Sequence, residues 1–472
     1  MGFYFYPRGG SAQVARYLSR ALVGTRWEPT MFSGSLGSER EPSHAGRFFA
    51  NVRLASLDYT PALHAWEAGL DPMATKVPMH ASYEDKPRVP DRVFTRLDDA
   101  AFERQVGSWK RFLAKQSTVV PRVVHLHHLT PLHEAVHQLW PQVPVVSHLH
   151  GTELKMLAAN EATNSGCRWS ARMQLWAQRS ARVVTVSAMD HQLALDLLPV
   201  AARRVVTIAN GVDTGVFAAR TMTLAERMER WRRWLVDDPR GWRPGQSEGS
   251  LRYAAEDLSA FVDDSGLPVP VVLYAGRFLR FKRLQLLIEA HHRMRCTTAS
   301  RAVLVIVGGY PGEWEDEHPY DTVQRLGAQG VFFVGWRDHS DVSEALACSD
   351  VFAAPSVDEP FGLVYLEAMS AGLPPIATST GGPLAFINVD PSRPTGWMVP
   401  PDDLTATTHA LADAVSDPLA RAARGLRAAK FVRDRYSWAS AAAEFVQLYE
   451  AVVAEPTSSR NAQLGRPTSG VA

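Results

Sequence analysis

The chain has 472 residues, is 46% hydrophobic and 21% charged, and carries 50 Lys and Arg against 49 Asp and Glu. That length exceeds what one hydrophobic core serves, so two or three domains are expected. The net charge of +1 excludes broad electrostatic capture of nucleic acid or of an anionic membrane. Cys167, Cys296 and Cys348 lie far apart with no CxxC spacing, the pattern of a reduced cytoplasmic protein with buried thiols. No apolar run reaches the ~18–20 residues of a membrane span. The start, MGFYFYPRGG, lacks the basic n-region and apolar core of a signal peptide, and Tyr6 stands where a myristoylation pattern wants Ser or Thr.

In chain order, apolar and β-branched runs at 3–6, 122–128, 144–150, 182–187 and 204–210 read as strands. A second array follows at 271–276, 302–309, 331–335, 350–356, 375–379 and 396–400. Most are hydrophobic throughout, as strands covered on both faces must be. Helical segments fall between them, for example at 284–295, 341–348 and 362–371. Alternation of strand and helix implies parallel sheets with right-handed crossovers. The region from Phe32 to Phe94, rich in Pro, Gly and Ser, reads as a long surface excursion and a candidate acceptor-side loop. Residues 218–267, with WRRWLVDDPRGWRPGQSEG at their centre, break the rhythm and read as a partly helical insertion that could close over an acceptor. The fold class is therefore α/β, with two Rossmann-like doubly wound domains facing across a cleft.

Two motifs compete for the chemistry. His133-Glu134-Ala135-Val136-His137 matches the zinc-protease pattern HExxH, with both histidines on one helix face. Pro141 would cut that helix short, and the third ligand would have to come from a distance, for example Glu161. The same segment fits a crossover helix after strand 122–128. Seven of the 16 histidines fall between His125 and His150, where two adjacent strand ends would line a polar cleft that could hold a metal. The richer segment is SVDEPFGLVYLEAMSAGLPPIATSTGG, 356–382. Pro360 fixes φ near a helix start at 361–362, so the free amino end of that helix points beside Glu359 and suits a phosphate. Glu367 lies inside the helix, ~9–12 Å from Glu359 at 1.5 Å rise per residue. That span suits gripping two ends of one extended ligand.

Within EPFGLVYLEAMSAGLP, the E-x7-E pattern resembles the donor signature of the family 4 glycosyltransferases, which have the GT-B fold. The resemblance implies that Glu359 contacts the transferred sugar, that Glu367 binds the ribose hydroxyls, and that backbone amides near Phe361, Gly362 and Leu363 face sugar and diphosphate. LYAGRFLRFKRLQLLIEA (273–290) is similar to the family's G-R-x4-K segment, so Arg277 and Lys282 would clamp the diphosphate, with Arg283 where Gly is usual. PRGGSAQVARYL (7–18) resembles the first Gly-rich loop and places Gly9 and Gly10 by phosphate or acceptor. SHLHGTEL (147–154) resembles the family's His loop and implies that His150, rather than His148, contacts the donor sugar. NGVD (210–213) matches the end of the first domain. VIVGGYPG and VGWRDHSDV place Gly335 and Arg337 at the nucleotide, while GGPLAFI has Ala385 where Glu is common.

The expected layout is an N-terminal acceptor-side domain, 1–213, and a linker with insertion, 214–267. A donor domain follows at 268–435, then a helix crossing back at 436–455 and a disordered tail at 456–472. The expected activity is retaining transfer of a hexose-type sugar from UDP or GDP to a small soluble acceptor in natural-product, inositol or thiol metabolism. No metal cofactor, nucleic-acid partner or stable membrane insertion is expected, and a homodimer is compatible. The alternatives are a GT-B nucleotide-sugar epimerase or hydrolase, a zinc hydrolase using His133, Glu134 and His137, and a non-catalytic sugar-nucleotide-binding protein.

Overall fold

The structure, a computed structural model, describes residues 1–85, 89–159 and 164–455. Glu161 and the tail from Pro456 lie outside the described residues. The chain divides into two compact units, Met1–Asn210 joined by the segment from Trp438, and Gly211–Ser437. No helix among the described residues is long and apolar enough to cross a membrane.

The first unit is built on seven parallel strands: β1 (Gly2–Phe3), β2 (Thr30–Ser35), β3 (Arg53–Asp58), β4 (Val124–His127), β5 (Val145–His148), β6 (Arg182–Thr185) and β7 (Val205–Thr207). Their order is β3-β2-β1-β4-β5-β6-β7, so the direction of winding reverses between β1 and β4. Two strands fall in the stretch read as a surface excursion. β2 escapes a hydrophobic reading because Gly34 lies against Tyr59, and a Cβ there would meet the Phe5 carbonyl oxygen at 2.8 Å. β3 is an edge strand with mixed exposure, RLASLD, so its run is broken by polar residues. Beneath the sheet, Trp109 Nε1 donates to Tyr59 Oη at 3.2 Å and Tyr59 Oη donates to the Tyr4 carbonyl at 2.7 Å. Tyr4 in turn donates to Gln105, so the polar tips of this aromatic core are paired among themselves. The helix Trp438–Ala454 packs in this unit, with Trp438 stacked on Tyr17 at 5.7 Å between ring centroids.

The second unit holds six parallel strands: β8 (Val271–Ala275), β9 (Val303–Val307), β10 (Val331–Gly335), β11 (Val351–Ala353), β12 (Pro375–Thr378) and β13 (Trp397–Val399). The order β10-β9-β8-β11-β12-β13 reverses between β8 and β11. Burial is complete along β8, β9, β10, β11 and β12, which is why their runs read clearly in the sequence.

The segment 218–267 packs in this unit as a cover for its β10 edge. Tyr253 Oη accepts the Phe333 amide at 2.9 Å, satisfying an edge donor that would otherwise face outward. The approach is backbone to backbone, because a Cβ on Gly241 would meet the Phe333 carbonyl oxygen at 2.5 Å. Of the three free cysteines, Cys348 is buried while Cys167 and Cys296 are exposed. The expected buried thiols hold at one position only, because Cys296 stands in the exposed last turn of the helix Leu284–Thr298.

His291 gives the second unit a pH dependence. It is fully buried, its Nε2–H donates to the Ala302 carbonyl at 2.9 Å, and burial pushes its pKa down to about 3. The unfolded chain titrates near 6.5, so below that pH it takes up a proton that the folded chain refuses. Stability from this group is full above about 6.5 and falls as pH drops towards 3. His291→Gln, which keeps a donor for Ala302, is expected to flatten the fall in Tm between pH 6.5 and 4. An unchanged slope would refute this reading.

Candidate functional site

In the second unit, the expected donor residues gather at the carboxyl ends of β8 and β11, where the winding direction reverses and parallel α/β sheets bind ligands. After β11 the chain runs through Ser356 to Glu359 and enters the helix Leu363–Ser370, one to two residues later than expected. Gly362 caps that helix at φ +91°, a left-handed conformation where a side chain would also crowd Tyr365. No acidic residue stands in the first turn, so the helix start keeps its positive end open to an anion. Glu359 and Lys282 form an ion pair with side chains only 11% and 14% exposed. The Gly381–Gly382 turn holds Glu359 from behind. The Gly382 amide donates to the Glu359 carbonyl at 2.7 Å, and a Cβ on Gly381 would meet that same oxygen at 2.5 Å. Phe361 and Leu363 flank Gly362 on the same turn. Arg277 follows β8, and its carbonyl accepts from Tyr274 Oη at 2.8 Å.

Glu367 has a partner that the sequence reading did not single out. His339 Nε2 lies 2.8 Å from Glu367 Oε1, and Phe217 packs edge-on against the His339 ring at 4.9 Å. His339 stands just beyond Arg337, where VGWRDHSDV turns into a helix capped by Asp338. Its position in that segment was the available signal. Arg283 shows why Gly is usual at its place. It sits at φ +51°, and its guanidinium compensates by pairing with Asp402, with Nη2 at 3.1 Å from Oδ2.

Gly335 and Arg337, expected at the nucleotide, both pack against the insertion. Gly335, at φ +78°, lies so close to the Arg240 carbonyl that any side chain would overlap it. The Arg337 side chain is 1% exposed. It donates to Asp238 Oδ2 at 2.6 Å, to the Trp234 carbonyl at 3.2 Å and to the Asp238 carbonyl. Its two terminal nitrogens are therefore engaged by the insertion. Arg337→Met is expected to cost about 2–3 kcal/mol through lost charge-assisted hydrogen bonds, seen as a lower Tm and faster proteolysis within 233–252. Donor KM is expected to stay within about threefold; a larger rise would restore the donor role.

In the first unit, Gly9 opens the helix Gly9–Leu22 at φ +73° with open space around it, and Gly10 follows in the first turn. This is the carboxyl end of β1, one of the two strands where the winding reverses. His150 follows β5, its Nε2 is 3.1 Å from His127 Nδ1, and its amide donates to Glu153 Oε1 at 3.1 Å. Burial, then the neighbouring His128, His148 and His125, push the His150 pKa well down, so the ring is neutral near pH 7. His148 and His127 stand within the strands behind it.

The HExxH segment forms the helix Pro131–Leu139, and its pieces point elsewhere. His133 Nδ1 accepts the Thr130 amide at 3.3 Å, leaving Nε2–H to donate to Ser147 Oγ at 2.8 Å. Both nitrogens are used inside the fold, and burial takes the His133 pKa to about 3. Glu134 is engaged by Trp176 Nε1 at 3.2 Å and by Arg179. Among the described residues, the i, i+4 spacing here packs a crossover helix and assembles no zinc site.

Comparisons with known proteins agree with this geometry. The model for Glycosyltransferase Family 4 matches residues 8–216, and that for Glycosyl transferases group 1 matches 262–431. The sulfoquinovosyl transferase SQD2 of Arabidopsis thaliana is 28% identical over 202 residues, which span 42% of this chain and 37% of that protein. The glycogen synthase of Mycobacterium tuberculosis (strain CDC 1551 / Oshkosh) is 26% identical over 450 residues, 93% of this chain and 91% of that one. Among solved structures, the sucrose-phosphate synthase of Thermosynechococcus elongatus aligns with a TM-score of 0.66 at 20% identity, over 96% of this chain and 98% of its own. Anabaena HepE, in complex with UDP-glucose, aligns at 0.62 and 14% identity over 95% and 99%. A fold of two parallel-sheet α/β units with these strand orders, matched by both family models in the same chain order, places the protein in the GT-B fold and in the family 4 glycosyltransferases.

Proposed function

We propose that this glycosyltransferase is a retaining enzyme that moves a hexose-type sugar from a nucleotide diphosphate sugar to a small soluble acceptor in the cytoplasm. The observation that carries the proposal is the Lys282–Glu359 pair seated between the start of the helix Leu363–Ser370 and the Gly381–Gly382 turn. As the bond between sugar and diphosphate breaks, negative charge grows on the leaving phosphate. Lys282, Arg277 and the helix start are fixed positive groups that favour that charge without reorganising. Glu359 then meets hydroxyls of the transferred sugar, and Glu367, oriented by His339, meets the ribose. A departing phosphate that itself takes the acceptor proton fits a site whose contribution is orientation and charge stabilisation. HepE was solved with UDP-glucose, which favours a uridine donor as the first to test.

The test is a thermal-shift screen of UDP- and GDP-sugars, followed by NMR of the product anomer. A donor that binds raises Tm in proportion to ln(1 + [L]/Kd), and the product keeps the donor's anomeric configuration. No shift with any nucleotide sugar, or an inverted product, would refute the proposal.

A further inference from the structure

Beneath the helix Trp438–Ala454, one face of the first unit's sheet carries a group of imidazoles. His125 and His127 are two residues apart on β4 and so project from the same face. His148 stands opposite His127 on β5. One ring nitrogen from each of the three lies within 4.8 Å of the others, and no member is more than 2% exposed. His125 Nε2 and His148 Nδ1 are 3.2 Å apart, close to the edge of about 3.3 Å that bonds of ~2.0–2.1 Å give a tetrahedral zinc site. His127 Nε2, the ring nitrogen left over once Nδ1 meets His150, is buried without a hydrogen-bond partner, a condition that buried polar atoms rarely keep unless something else binds them.

The surroundings complete the pattern. Tyr449 Oη lies 2.5 Å from His125 Nδ1, and His150 Nε2 lies 3.1 Å from His127 Nδ1. Partners on the far nitrogen are what fix tautomer and ring direction in metal-binding histidines. A cavity of about 490 Å³ is lined by His125 and Tyr449, with Trp27 and Arg122 among its other walls. Three imidazoles without a carboxylate select borderline metals such as zinc over magnesium, calcium or manganese.

We propose that His125, His127 and His148 bind one divalent transition metal of the zinc class, with His150 and Tyr449 as their orienting partners. The metal would tie β4 to β5 and, through Tyr449, to the C-terminal helix. The proposal rests on none of the roles proposed for the sugar-donor residues of the second unit.

The test uses the full chain, equilibrated with Zn²⁺, passed into metal-free buffer and analysed by atomic emission. One zinc per chain is expected, together with a rise in Tm on adding Zn²⁺ and intense tetrahedral d–d absorption when Co²⁺ replaces it. His148→Asn and His127→Asn should each lower retained zinc by at least about tenfold, while His137→Ala, in the HExxH segment, should retain it. A folded wild-type chain that keeps no zinc overturns the proposal, as does loss of zinc in His137→Ala with retention in His148→Asn. Should a variant fail to fold, wild-type stoichiometry and the Co²⁺ spectrum still decide.

Discussion

Glu359→Gln is expected to lower kcat by about 10²–10³-fold, the range seen when one fixed group is removed from a charge-stabilising site. The substitution keeps the side chain's size and removes its charge. Two effects follow. The transferred sugar loses a charged acceptor for its hydroxyls, and Lys282, only 14% exposed, loses its counter-charge. An ammonium left alone in a largely enclosed site costs stability, so a fall in Tm of a few degrees should accompany the kinetic loss, with the chain still folded. Adding Lys282→Met to Glu359→Gln should restore most of the Tm and none of the rate. That double variant separates a clamp from a structural ion pair. Recovery of rate, or a single-variant loss under about threefold, would show that the pair is structural only.

Gly382→Val is expected to abolish measurable transfer and to lower Tm. A Cβ on Gly382 would overlap the backbone of Phe361, with the carbonyl carbon at 2.7 Å. Backbone cannot move aside as a flexible side chain can, so the turn and Glu359–Phe361 must separate. The Gly382 amide would then lose its bond to the Glu359 carbonyl, and the two elements that aim the carboxylate would no longer be joined. Overpacking of this kind costs about 1–3 kcal/mol, and a misplacement of about 1 Å costs of order 10²-fold in rate. Thermal melts and initial rates on one preparation would test both. Near-normal rates would mean that the turn is not a support of the site.

The legible part of the protein was what burial writes into sequence. β8, β9 and β10 are enclosed on both faces and appear as unbroken apolar runs, and the Glu359-to-Glu367 stretch carried its own spacing. β2 and β3 were hidden because one is thinned by Gly34 and the other is a half-exposed edge. His339 was overlooked because its one signal, a place beside Arg337 in VGWRDHSDV, says nothing of the carboxylate 28 positions away that it bonds. The tie of Arg337 to the insertion was hidden for the converse reason. Its place in VGWRDHSDV suggested a nucleotide, whereas the insertion supplies Asp238 and the Trp234 carbonyl from about a hundred residues upstream. Contacts made by an insertion cannot be inferred from a pattern that lacks the insertion.

The division of the chain has a consequence for its synthesis. The first unit contains Met1–Asn210 and the helix Trp438–Ala454, so 227 residues of the second unit are made before the first is complete. At about 5–20 residues per second, a ribosome takes roughly 11–45 s over that interval. During it, Tyr17 awaits Trp438 and His125 awaits Tyr449. The nascent first unit therefore carries an uncovered face while the second emerges, and the last helix to be made is the one that covers it.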